Sequence, residues 1–213
     1  MGRTDYYNAM KSLAREKREF YGVTTASFGL SNVRRIYRAE SIAIDMWDLS
    51  PRIRAVYMCE GGECSVLVSR KLPKEPRLFA LVHELKHHFS DRTHIEKGGI
   101  RCGDYNANEV IEIGAEVFAA EFIYPEKEFL KFLTTVGIEH GKCSPEHIVD
   151  LKRKCGAPVS YRFLVKRLER FRLIKPGAFK KVKFRNLEEE IYGPPIYKQE
   201  WYRKYRARRK RHR

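Results

Sequence analysis

Between Arg77 and Phe89 the chain places Leu78, Leu81, Val82, Leu85 and Phe89 on one helical face, and the same stretch carries His83, Glu84 and His87. Core packing and a polar site therefore share one helix, and the rest of the fold has to be built around it. Residues 83–88 read His-Glu-Leu-Lys-His-His, so the pattern H-E-x-x-H lies in a segment whose helicity is argued separately from its apolar spacing. Histidines four residues apart stack one turn above each other and reach a single ion, with a glutamate beside them. The expectation is one Zn2+ per chain on His83 and His87. Zinc acidifies water, and Glu84 stands where a general base takes the proton as a carbonyl is attacked.

A catalytic zinc needs a third protein donor and an open position. The metzincin pattern would have Gly at position 90 and His at 93. Here Ser90 and Thr93 stand at those places, and His94 is one step out of phase. The second strong helix, from Asn108 to about Tyr124 and stopped by Pro125, offers Glu109, Glu112 and Glu116. Ala115 and Ala119 lie one turn apart on a face where small residues permit close approach, and Glu112 is taken as the third ligand. Glu116 suits a surface charge or a partner of a ligand. The transition-state oxyanion needs a further donor, and spacing does not choose among Tyr105, Tyr124, His94 and Arg101. His88 turns to another face and is read as a solvent-facing or packing residue rather than a ligand.

Elsewhere the pattern is mixed. Residues 4 to about 21 form an amphipathic helix stopped by Gly22, and Ser31 to about Glu40 a second one. Ser41 to Trp47 alternates as a strand. Ile53 to Met58 and Ser65 to Ser69 add two more across a Gly61-Gly62 turn, and the three are expected to make a small antiparallel sheet. Glu146 to Cys155, a turn at 156–159, and Ser160 to Leu173 read as helix, turn, helix.

His83-Glu84-x-x-His87, followed by Glu112-x-x-Ala115-x-x-Phe118-Ala119 and Pro125, resembles the ImmA/IrrE family of metallopeptidases. Upstream, Ser65 to Pro73 resembles the strand and loop before that family's active-site helix. Downstream, Val159 to Leu168 and Ile174 resemble its following helical segment, so the likeness runs from roughly residue 40 to 175. In the family the glutamate opening the second motif is the third zinc ligand, which implies that role for Glu112. Gly114 and Glu116 depart from the Glu and Asn of many relatives, and Phe122-Ile123-Tyr124 from a Leu-Leu-Met-like run. The resemblance implies a zinc-dependent metalloendopeptidase acting on a protein substrate, a helix-turn-helix transcriptional repressor whose cleavage releases a mobile-element or stress regulon. The expected fold is a compact α+β zinc-peptidase domain with two site helices and a helix-turn-helix-like C-terminal extension. Its expected divisions are an N-terminal helical segment (1–39), the zinc metallopeptidase domain (40–140), the helix-turn-helix-like segment (145–175) and a basic tail (176–213) with a further strand over Phe179 to Phe184.

The formal net charge of +16 would draw polyanions to the chain. Ser160 to Phe171 sets Arg162, Lys166, Arg167 and Arg170 beside Phe163, Leu164, Leu168 and Phe171, a basic face for nucleic acid or an acidic partner. From Trp201 onward, interleaved aromatics and arginines suit phosphates and bases. The rival reading is therefore a nucleic-acid-binding regulator with a structural or vestigial metal site. Glu84 counts against it, because a structural zinc needs no base. Five cysteines without a C-x-x-C pair point to reduced thiols, with Cys59 and Cys64 as strand residues flanking a turn and Cys102 as a loop thiol. No apolar run spans a bilayer and no signal core opens the chain, so a cytoplasmic protein is expected.

Overall fold

The computed structural model describes residues 2–25, 28–98 and 108–211, with side chains as far as 206. Its elements are α1 (Arg3–Phe20), α2 (Leu30–Ala39), β1 (Ile42–Trp47), β2 (Ala55–Glu60), β3 (Glu63–Ser69) and α3 (Lys74–Lys86). A π-helical turn (His87–Asp91) leads into α4 (Arg92–Glu96). Then come α5 (Glu109–Ile123), α6 (Glu126–Thr135), α7 (Pro145–Lys154), α8 (Tyr161–Arg170), α9 (Phe184–Tyr192) and α10 (Glu200–Arg211). The class is α+β, as the sequence predicts, with a small sheet, two site helices and a helical C-terminal region.

The sheet is ordered β1-β3-β2 and is mixed rather than wholly antiparallel, since β1 runs parallel to β3. Alternation in β1 reports which face is buried and carries no information on strand direction, so only the local β2–β3 hairpin was fixed by its turn. Gly61 and Gly62 have φ of 55° and 84°, the left-handed pair that a two-residue hairpin turn demands, and they register Cys59 opposite Cys64. These two cysteines form a disulfide, which corrects the expectation of reduced thiols: the hairpin register sets them directly across from each other. The strand expected over Phe179 to Phe184 is also absent. Residues 176–181 form turns, and Phe184 opens α9, its ring stacked on Tyr161 at 5.0 Å.

One buried cluster runs through Met10 of α1, Ile36 of α2, Val66 and Val68 of β3, Leu81 and Leu85 of α3, Phe118 and Phe122 of α5, and Leu164 and Leu168 of α8. Every residue of α3 from Ala80 to Lys86 is buried. That is a helix at the centre of the molecule, with α5 packed along one side and the sheet along another. Beneath α5 lies α1. Glu121, at the end of α5, receives Arg15 of α1 at 2.9 Å, the amide of Glu126 at 2.9 Å and Arg167 of α8 at 3.4 Å. One buried carboxylate thus ties three helices to α5.

The glycine at position 114 has a local cause. A Cβ built there would meet Tyr6 of α1 at 2.5 Å (Cε1) and 2.9 Å (OH). Gly→Ala inside a helix ordinarily gains about 0.5–1 kcal/mol, whereas forcing a packed ring aside costs about 1–3 kcal/mol, so the clash wins. Gly114→Ala is expected to lower the thermal midpoint of unfolding, and the same change made in Tyr6→Ala to raise it. Equal shifts in both backgrounds would show that Tyr6 is not the cause.

Candidate metal centre

The two site helices bring together three residues predicted from sequence to hold a metal. His83 Nε2 lies 3.0 Å from Glu112 Oε2 and 3.3 Å from His87 Nε2, and His87 Nε2 lies 3.8 Å from Glu112 Oε1. All three residues are buried, and their donor atoms fall within 4.8 Å of one another. A tetrahedral ion bonded at about 2.0–2.1 Å sets its donors about 3.3 Å apart, so the cluster has the size to hold one. The other carboxylates on α5 are placed differently. Glu109 is exposed and pairs with Arg3 at 3.7 Å, and Glu116 is exposed at the mouth of the cavity described below.

Asp91 completes the arrangement and was not found in the sequence. Its Oδ2 lies 2.7 Å from His87 Nδ1 and 2.6 Å from Lys86 Nζ. Accepting the Nδ1 proton fixes the imidazole so that Nε2 presents its lone pair to an ion. Burial pushes the Asp91 carboxyl up, but the His87 hydrogen bond and the Lys86 charge outweigh it and leave the pKa below the usual range. The spacing of His87 and Asp91, one turn apart, was the available signal. The π-helical turn between them is what delivers it, a distortion that often marks functional sites.

Glu84 is buried beside the cluster, and its Oε2 accepts the backbone N–H of Tyr57 in β2 at 3.0 Å. Burial raises its pKa, against the pull of His83 and His87. Burial would lower that of His83. The hydrogen bond to Glu112 and the charges of Glu84 and Glu112 prevail and raise it, so the metal-free site holds its proton firmly. His88 takes the packing role of the two left open for it: Nε2 donates to Glu40 at 3.1 Å, and Nδ1 accepts the Tyr57 hydroxyl at 2.9 Å.

A cavity of about 330 Å³ opens over the cluster. His83, Glu84 and Glu112 line it together with Phe79, Ala80 and Glu116, while Arg52, Ile53 and Arg54 border it from the approach to β2, Ala55 from its first residue and Arg162 from α8. Arg162 therefore lines the same cavity as His83 and Glu112. Lys166 and Arg170 are exposed, Lys166 pairing with Glu169 at 3.3 Å. Arg167 corrects the sequence reading. It is only 7% exposed, donates to the Ala120 carbonyl at 2.9 Å, and lies over the rings of Phe129, Phe163 and Phe171. One turn beyond Phe163, it shares that residue's inward face. Of the oxyanion candidates, Tyr124 is buried against Phe129 and His94 is exposed on α4, and neither lines the cavity. Arg101 and Tyr105, like Cys102, lie outside the described residues.

The family model of the IrrE N-terminal-like domain, from peptidase family M78, matches residues 55–169. No curated protein matches the chain.

Proposed function

Because the chain belongs to the IrrE N-terminal-like family of M78 peptidases, we propose that it is a zinc-dependent metalloendopeptidase in which His83, His87 and Glu112 hold the metal and Glu84 is the general base. One observation carries this reading: the buried Glu84 lines the same cavity as His83 and Glu112, two members of a buried cluster of three donors. Three protein donors, counted among the described residues, leave a position for chemistry, whereas a structural zinc is closed by four and has no use for a base.

Zinc, when bound, would supply Lewis acidity, acidifying water and polarising the scissile carbonyl. Glu84 would accept the proton of the attacking water and return it to the leaving amine, and its raised pKa suits both tasks. Asp91 would orient His87. β2 is an edge strand whose first residue borders the cavity, so an extended peptide would have backbone partners there. The substrate we propose is a helix-turn-helix repressor in the cytoplasm, a reading supported by family membership. No helix among the described residues is long and apolar enough to cross a membrane.

Elemental analysis of the dialysed protein is expected to return zinc near one per chain. Removing it with a chelator should abolish peptide hydrolysis, and added zinc should restore it. Zinc should also leave as the pH falls, because protons compete for the histidine ligands. The firmer hold of His83 on its proton strengthens that competition. Protein that takes up no metal even after zinc is added back would overturn the proposal.

A further inference from the structure

Resting on the peptidase reading, we propose that the cavity selects a substrate segment with an acidic side chain close to the scissile bond, gripped by Arg52, Arg54 and Arg162. These guanidiniums reach one cavity from two distant parts of the chain, the approach to β2 and the second residue of α8. All three residues are exposed. Glu84 and Glu112 balance a divalent ion, and Glu116 offsets one guanidinium, which leaves a positive surplus facing the substrate. Guanidinium groups take carboxylates in paired hydrogen bonds, a geometry that favours Asp and Glu over their amides.

Arg162 is delivered by a fixed element. The buried Arg167 anchors α8 to Ala120 and Glu121 of α5, and Phe163 sits edge-on to Phe79, itself a cavity residue, at 6.3 Å. A cavity of about 330 Å³ is about 7 Å across, which spans about two extended residues at about 3.3 Å each. The acidic side chain is therefore placed within about two residues of the cut.

The test uses full-length, zinc-loaded Glu84→Gln protein and two labelled short peptides, one alternating Glu and Ala, the other Gln and Ala. The Glu peptide is expected to bind about tenfold more tightly, as for one charge-assisted contact pair. That preference should vanish in a variant that also carries Arg52→Ala, Arg54→Ala and Arg162→Ala, with zinc content unchanged. It should persist when Arg203, Lys204 and Arg206 of α10 are replaced by Ala instead, which controls for general basicity. Equal binding of the two peptides, a preference surviving in the triple arginine variant, or one lost with the α10 changes would each overturn the inference. Cleavage of a mixed peptide library by the zinc-loaded wild type provides a separate readout. If nothing is cut, the peptidase reading fails, while the binding comparison still decides the role of the arginines.

Discussion

Glu84→Gln is expected to keep zinc at wild-type stoichiometry while slowing peptide hydrolysis about 10³-fold, within the range of about 10²–10⁴ that positioned general bases contribute. The carboxamide is nearly isosteric, and its oxygen can still accept the Tyr57 N–H that now meets Oε2 at 3.0 Å, so the residue should stay where it is. None of the donors at His83, His87 and Glu112 is altered. What disappears is the ability to accept a proton. Glu112→Ala should behave differently and lose metal and activity together, because it removes one of three donors. Elemental analysis beside kcat separates the two variants. Full activity in Glu84→Gln would move the base to another carboxylate, and Glu116, which lines the same cavity, would be the next to test.

The grouping of the donor residues was legible because helix geometry makes it so: four residues of spacing put His83 and His87 on one face, and that face is where α5 packs. Glu112 followed from the alanine face of α5, where Ala115 and Ala119 are wholly buried. Other features depend on contacts distant in sequence. Tyr6 explains Gly114 only once α1 lies on α5, and Arg162 becomes a cavity residue only once Arg167 has drawn α8 against Glu121. Composition misled at Arg167 itself, since an arginine in a basic run reads as solvated until a buried carboxylate and three rings are found around it. The β1 direction was beyond reach for a similar reason: a half-buried edge strand alternates in burial whichever way it runs. The hairpin disulfide was within reach, because Gly61 and Gly62 set the register and the register sets Cys59 across from Cys64.

Asp91→Ala is expected to cost stability and metal affinity together, for two separable reasons. Lys86 has no solvent exposure, and Asp91 at 2.6 Å is its one carboxylate partner among the described residues, the other contacts being the Ile111 carbonyl at 3.3 Å and the Tyr6 ring at 5.5 Å. Stripping a buried charge of its partner typically costs about 3–5 kcal/mol, which in a chain of this length lowers the thermal midpoint by about 10 °C. His87 meanwhile loses the acceptor for Nδ1–H, a change that typically weakens metal binding about 10- to 100-fold. Combining Asp91→Ala with Lys86→Met removes the orphaned ammonium and should recover most of the stability, because apolar replacements of buried ion pairs are often neutral. It cannot return an acceptor to His87, so zinc affinity should stay low. If affinity recovers along with the melting temperature, Asp91 acts on the metal only by holding the fold together. If it stays low in a fully folded double variant, the carboxylate tunes His87 directly, and the π-helical turn that places it belongs to the metal site.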